Sequence, residues 1–252
     1  MNTVIETILN HRSIRAFEDR ALTDEQVQWI VKSAQAASTS SFVQAYSIIG
    51  IKSPEKKAKL AELAGNQEAV RRNGHFFVFC LDSYRHEISV ELEGGDPNDY
   101  QASFESTEWF MVGVIDAALA AQNAAIAAES MGLGICYIGG LRNQLHEVAE
   151  LLDTPNRVIP LFGLAAGYPS APSATKPRLP SDHIYHEDAY PQDLERYKRQ
   201  LQQYNEEISA YYLERTQGKR ADRWTAQMQA RMARPSRLYM KSFLESKGLP
   251  LK

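Results

Sequence analysis

The segment GLGICYIGGLRN, residues 132–143, combines the two patterns on which the fold depends. Its first half is an apolar run typical of a β-strand, and Gly139 and Gly140 end this run before a helix that we predict to begin near Asn143. Backbone amides that no side chain covers, near a helix N-terminus, favour an anion or a flat ring against the main chain. A tight turn without a ligand also explains the glycines. The spacing is not that of a Rossmann fingerprint, because no glycine follows three residues after Gly140.

Helix and strand signals alternate on both sides of this segment. Nearly continuous apolar runs at 75–81 and 158–166 predict strands covered on both faces, and 46–51 predicts a short strand. Helices are predicted at 3–10 and from the Thr23–Gln26 capping box to about residue 37. The alternation indicates a sheet enclosed by helices.

A further helix, predicted at about 105–130, carries alanines on one half of its circumference. Side chains this small let another helix or backbone approach closely. The pattern fits an internal packing surface and the centre of a homodimer equally well. The alanines are Ala117, Ala120, Ala121, Ala124, Ala125 and Ala128.

The composition is that of an ordinary soluble globular chain: 252 residues, 44% hydrophobic and 23% charged. The net charge is -3, so the chain lacks the excess of basic residues typical of nucleic-acid-binding proteins, and we expect no nucleic-acid partner. Cys80 and Cys136 lie in apolar runs and form neither a metal-ligand spacing nor a disulfide framework, so we expect a cytoplasmic protein. We expect no signal peptide and no membrane span, because acidic and amide residues interrupt the most apolar window, 112–134.

The chain changes character after residue 167. The prolines Pro169, Pro172, Pro177 and Pro180 leave no room for a regular helix. Long polar helices are predicted at about 194–214 and 222–245, and such helices bury little surface alone. We therefore predict that 168–252 is an arm that wraps the body or a partner subunit and is not an independent domain.

Three segments offer groups that suit a phosphate-bearing ligand. The run His11-Arg12-Ser13-Ile14-Arg15 concentrates cations, and arginine presents a planar fork that matches phosphate oxygens. A solvated basic turn fits the charges of this run as well. Lys176 and Arg178 lie on one side of a proline-rigid extended stretch, for which a solvated loop is the alternative. Gln67 has an amide suited to the edge of a heterocycle, although a surface position also explains it.

The order of these segments resembles the large, oxygen-insensitive class of bacterial FMN-dependent, NADPH-preferring nitroreductases and flavin reductases. The resemblance spans nearly the whole chain. It implies an α+β nitroreductase fold with a mixed central sheet flanked by helices, and an intertwined homodimer in which both subunits contribute to each FMN site. Residues 1–167 would form the FMN-binding core, and 168–252 would form the arm with an NADPH-binding flap. The matching segments are HRSIR at 11–15, STSSF at 38–42, Gly65-Asn66-Gln67, ESMGLGICYIGGLRN at 129–143, PLFGLAAGYP at 160–169 and KPRLP at 176–180.

The resemblance also implies roles for individual residues. The ribityl phosphate side of FMN would be bound by His11, Arg12, Ser13 and Arg15. The isoalloxazine and ribityl groups would be contacted by Ser40, Gln67, Tyr137, Ile138, Gly139 and Gly140. Further positive charge would come from Lys176 and Arg178. The 2′-phosphate of NADPH would be bound by Arg215, which follows Tyr211-Tyr212-Leu213-Glu214, with Arg220 as a second candidate.

The implied reaction is a ping-pong transfer of hydride from NADPH through FMN to nitroaromatics, quinones or free flavin. The cofactor carries the chemistry, so no side chain is predicted to be catalytic. A hypothesis of another class is a sensor that holds FMN or a nucleotide phosphate without turnover, and the absence of a recognisable acid–base pair favours it.

One segment matches the family poorly. Residues 87–108 are acidic and turn-rich, and beside the pocket they would disfavour anionic acceptors. We expect a solvated loop without a role.

Overall fold

The computed structural model describes residues 2–171 and 173–249. It divides into two compact units, the first comprising residues 1–173 and 239–252 and the second residues 174–238. The predicted arm thus extends over both units, because Phe243 and Leu249 are buried in the core of the first. Pro172 and residues 250–252 of the predicted arm lie outside the described residues.

The first unit is built on a four-stranded sheet. Its strands are β1 (Tyr46–Ile51), β2 (His75–Asp82), β3 (Gly134–Ile138) and β4 (Val158–Gly167), in the order β1-β2-β4-β3. All three strand pairs are antiparallel, whereas we expected a mixed sheet. Among the described residues, parallel pairing is limited to an isolated bridge between Ser13 and Ile135. β2 is buried at every position, as its continuous apolar run predicts.

Helices surround this sheet and confirm the α+β class. The capping box is present, with the Thr23 hydroxyl accepting from the Gln26 amide and the Gln26 side chain accepting in return. The helices of the first unit are α1 (Thr3–Leu9), α2 (Asp24–Gln35), α3 (Pro54–Leu63), α4 (Glu68–Arg71), α5 (Tyr84–Leu92), α6 (Gln101–Phe104), α7 (Thr107–Ser130), α8 (Leu145–Leu151) and α11 (Met240–Ser246).

The second unit contains α9 (Leu194–Arg215) and α10 (Trp224–Met232) around a small core of Tyr204, Ile208 and Tyr212. The single helix predicted at 222–245 is wrong. It is replaced by α10 and α11, because Pro235 lacks the backbone N–H that a continuing helix needs and clashes with the preceding turn.

The alanine face of α7 is an internal packing surface. These alanines are at most 1% exposed, and α7 packs on α2 and β2. The opposite face is apolar and open, since Met111, Ile115 and Leu119 are 51%, 49% and 45% exposed. By length and composition alone α7 could cross a bilayer, but its alanine face belongs to the core of the first unit.

The acidic segment 87–108 is folded, so the interpretation as a solvated loop is wrong. It comprises parts of α5 and α7, all of α6 and a 3-10 turn at Pro97–Tyr100. Its Glu87 forms an ion pair with Arg157, which is 5% exposed. Arg157 also donates to Gln101 Oε1 at 2.6 Å and to the Gly248 carbonyl at 3.0 Å. This buried arginine therefore joins the acidic segment to the C-terminal residues of the first unit.

Candidate functional site

The HRSIR run lies along the outer edge of β3, an end strand of the sheet. The Ile14 N–H donates to the Ile135 carbonyl at 2.8 Å. Ile14 is buried against Gly134, where a Cβ would stand 2.6 Å from Ile14 Cγ1. Because side chains alternate along an extended chain, Ser13 and Arg15 face away from this anchor, and Arg15 is exposed. The edge of β3 thus presents a hydroxyl and a guanidinium together.

The two other polar residues of this run have different surroundings. His11 Nδ1 lies 2.7 Å from the Glu129 carboxylate at the end of α7, which orients the imidazole and leaves Nε2 for a ligand. Arg12 donates to the Asn10 carbonyl at 2.9 Å and lines a cleft of about 510 Å³ together with Ile14. Arg12 therefore faces this cleft with Ile14, and its action with Ser13 and Arg15 on one phosphate stays a prediction.

Beyond β3, the chain turns at a site that we call the glycine corner, formed by residues 139–143 and Gln67. Residues Gly139–Asn143 form a 3-10 turn in which Gly140 is buried. A Cβ at Gly140 would lie 2.2 Å from Gln67 Nε2 and 2.5 Å from the Ala64 carbonyl oxygen. Gln67 itself donates to that oxygen at 2.9 Å, which fixes its amide plane. Gly140 thus lets the Gln67 amide lie directly on the main chain, and contact of both residues with one flavin ring stays a prediction.

The glycine corner is supported from behind by the C-terminal residues of the first unit. The Tyr239 hydroxyl accepts from the Leu145 N–H and donates to the Arg142 carbonyl, both at 2.8 Å. Arg142 in turn donates to the Leu161 carbonyl at 2.5 Å. The turn between β3 and α8 is therefore held by hydrogen bonds from elements distant in sequence.

The side chains of Tyr137 and Ile138 point in different directions. Ile138 is 1% exposed, so its backbone is the part that can face a ligand. Tyr137 is 37% exposed and its hydroxyl donates to Gln122 on α7 at 3.4 Å. Desolvation raises the pKa of the Tyr137 phenol, and the Glu129 carboxylate raises it further, so this hydroxyl stays protonated.

Ser40 lies on a different element from the residues along β3. It begins a 3-10 turn, Ser40–Phe42, which leads into β1 at the opposite edge of the sheet. Three strand spacings separate β1 from β3, or about 14 Å. The Ser40 N–H donates to Asp116 on α7 at 3.0 Å.

The remaining predicted residues belong to the second unit. Lys176 donates to the Tyr212 hydroxyl at 2.9 Å, and the Arg220 guanidinium lies 4.8 Å from the centre of the same ring. The hydrogen bond from Lys176, with another from Gln227, lowers the pKa of Tyr212. Arg220 also pairs with Asp222. The structure thus gathers Lys176 and Arg220 on one phenol.

Arg215 and Arg178 are exposed side chains of the same unit. Arg215 donates to the Tyr211 hydroxyl at 2.9 Å, at the end of α9. Arg178 follows Pro177, whose carbonyl accepts from Tyr204 at 3.0 Å. That Lys176 and Arg178 converge with the HRSIR run on FMN stays a prediction, as does the binding of the NADPH 2′-phosphate by Arg215 and Arg220.

Asp116, Glu129 and Tyr239 are partners of site residues that were not predicted. Asp116 carried a signal, since it is a lone carboxylate in an alanine-rich helix, but it entered only as one of the residues that speak against a membrane span. Glu129 and Tyr239 gave none, because they meet their partners only through the fold.

Comparison with known proteins gives concordant matches. Residues 8–168 match the nitroreductase family and residues 176–252 its C-terminal domain. The chain is 55% identical to FMN reductase (NADPH) of Bacillus subtilis over 248 residues, which covers 98% of both chains. The solved structure of NfrA1 from B. megaterium has 61% identity and a TM-score of 0.96, covering 98% of this chain and 99% of that one. The NADPH:FMN oxidoreductase of Vibrio harveyi, solved with NAD+, has 39% identity and a TM-score of 0.88 with both chains fully covered.

Proposed function

The chain belongs to the nitroreductase family, and on this premise we propose that it is an oxidoreductase that uses FMN to transfer hydride from NADPH to nitroaromatics, quinones or free flavin. FMN supplies the two-electron chemistry when it is bound, and the chain supplies position and charge. NADPH and the acceptor would use the same open face in turn, which gives a ping-pong cycle.

The observation that carries this proposal is the placement of the glycine corner relative to the HRSIR run. Both lie along β3, the corner after its last residue and Ser13 beside Ile135. The strand rises by about 3.3 Å per residue, so Ile135 and Ile138, the last residue of β3, are about 10 Å apart, and the glycine corner follows directly. This arrangement suits an elongated mononucleotide, with its ring at Gly139, Gly140 and Gln67 and its phosphate at the cations.

Each end of this arrangement has a defined task. Donors in the glycine corner and the Gln67 amide would stabilise negative charge on a bound ring. His11, Ser13 and Arg15 would bind the phosphate, with Lys176 and Arg178 adding positive charge. Arg215 and Arg220 would bind the 2′-phosphate of NADPH. The proposal assigns no side chain as an acid, base or nucleophile.

We further propose that the working form is a homodimer in the cytoplasm. The open apolar face of α7 lies beside α1, which exposes Val4 and Leu9 by 59% and 65%. Apolar surface of this extent on two adjacent helices is typical of a subunit interface. A second copy would also bring a Ser40 to the β3 side of its partner, as the proposed FMN site requires.

A spectroscopic experiment tests the activity. The purified protein is expected to show a visible flavin band, and anaerobic NADPH is expected to bleach it. A colourless protein that does not bind added FMN would contradict the proposal. A flavin band that NADPH leaves unchanged would support the sensor hypothesis instead, and the solution mass decides between monomer and dimer.

A further inference from the structure

Asp116 is a carboxylate buried within the alanine face of α7. It is 0% exposed, and its neighbours on that face include Ala117 and Ala120. Its Oδ1 accepts from the Ser40 N–H and its Oδ2 accepts from the Ala45 N–H, each at 3.0 Å. A buried charge is costly unless it is hydrogen-bonded, so the position of Asp116 depends on these two amides. Asp116 therefore clamps both ends of residues 40–45, which we call the Ser40 loop.

The Ser40 loop needs such a clamp because its backbone is strained. Ser41, Phe42 and Gln44 have φ values of 45°, 60° and 52°. Residues other than glycine rarely adopt this left-handed backbone region, and each residue held there costs free energy. Phe42 is also 80% exposed, so burial of its ring does not offset the cost. Asp116 holds the two ends of the loop, and between them the Val43 carbonyl lies 2.8 Å from His86 Nε2.

We propose that Asp116 is a positioning residue that holds Ser40 in place for the FMN bound by a second copy of the chain. This inference rests on the proposed function. The anchor and the exposed apolar face occupy the same helix, since Asp116 directly follows Ile115, which is 49% exposed. One rigid helix therefore sets the loop relative to the surface that a second copy would cover.

The first test is Asp116→Asn, which keeps the shape but turns one accepting oxygen into a donor that faces an N–H. We expect the dissociation constant for FMN to rise about tenfold, as the loss of one charge-assisted hydrogen bond predicts. The control is Ala124→Gly on the same buried face, which weakens the helix without touching the loop. The control should lower the melting temperature and leave FMN affinity unchanged. If Asp116→Asn behaves in the same way, Asp116 is merely structural and the inference fails.

A matched pair at Ser40 keeps the inference testable if Asp116→Asn does not fold. Ser40→Ala removes the hydroxyl and keeps the N–H that Asp116 accepts, whereas Ser40→Pro removes both. Proline is tolerated at the first position of a helical turn, and Thr39 already has the extended conformation that must precede it (φ -128°, ψ 153°). We expect Ser40→Pro to bind FMN several-fold more weakly than Ser40→Ala. Equal affinities would overturn the inference.

Hybrid dimers test whether the loop serves the partner's site. One protomer carries Arg15→Ala and the other carries Asp116→Asn. If the loop acts on the partner, both defects fall in one site and each dimer keeps one site of normal affinity. If the loop acts within its own protomer, both sites are damaged, and this result would contradict the inference. Wild-type protein that binds no FMN would instead refute the proposed function.

Discussion

The glycine corner and the cations of the second unit would bind their proposed ligands by opposite means. At the glycine corner the main chain would be the binding surface, since Gly140 is buried and the Gln67 amide leaves no room for a side chain. In the second unit the groups proposed to bind NADPH are charges at the ends of long side chains, and Arg215 and Arg220 are exposed. Preorganised sites bind tightly, whereas exposed charges are screened by solvent and salt. The comparison matches a cofactor that stays bound and a reductant that must leave in every cycle.

Gly140→Ala is expected to have the largest effect on FMN affinity among the proposed variants. The added Cβ would meet both the Gln67 amide and the Ala64 carbonyl, so the corner would have to move. We expect FMN affinity to fall about 100-fold, or roughly 2.7 kcal/mol, in a fluorescence titration. Gly94→Ala is the control, since it adds strain at a φ of 80° with nothing within 4 Å. Normal FMN binding by Gly140→Ala would show that the ring lies elsewhere.

Arg15→Ala tests the cationic end of the same site. Loss of a charge-assisted phosphate bond should weaken FMN binding by about 30-fold, or roughly 2 kcal/mol. Arg12→Ala is the comparison variant, because Arg12 donates to the Asn10 carbonyl and lines the cleft together with Ile14. We expect its effect in the same titration to be clearly smaller. A larger loss with Arg12→Ala would show that the phosphate occupies that cleft.

Arg215→Ala tests the exposed region. We expect the KM for NADPH to rise about tenfold at low salt, with little change for NADH, which has no 2′-phosphate. Lys219→Ala removes a neighbouring exposed charge and serves as the control. Steady-state kinetics with both nucleotides measures the two KM values. Equal increases in KM for NADPH and NADH would show that Arg215 does not bind the 2′-phosphate.

Tyr239→Phe gives the smallest expected effect and tests how firmly the glycine corner is held. It removes the hydroxyl that accepts from Leu145 and donates to Arg142, so the free energy of unfolding should fall by about 1 kcal/mol. Urea unfolding measures this change, with Tyr84→Phe at a 44% exposed position as the control. An unchanged unfolding midpoint would mean that the C-terminal residues do not stabilise the corner.

The fold could be predicted where local pattern determines structure. β1 and the capping box at Thr23 follow from short-range rules, and the structure confirms both. The break between α10 and α11 had a local signal in Pro235 that the prediction of one helix overlooked. The mixed sheet was expected from the resemblance alone, and the strand pairs are antiparallel.

The site could be predicted as a set of residues but not as a set of contacts. The structure brings Gly140 and Gln67 together, and that they face one ligand stays a prediction. The pairs His11–Glu129 and Ser40–Asp116 join residues 118 and 76 positions apart. No local periodicity encodes such pairings, because tertiary packing alone creates them.

The return of the chain to the first unit after residue 238 has a consequence for biosynthesis. Phe243 is buried in the core of that unit, and Gly248 completes the bonding of Arg157. A nascent chain emerges N-terminus first, so these contacts form only after residues 239–248 have left the ribosome. Residues 174–238 are therefore synthesised before the first unit receives α11, and a chain truncated after residue 238 would expose core surface that Phe243 and Leu249 normally cover.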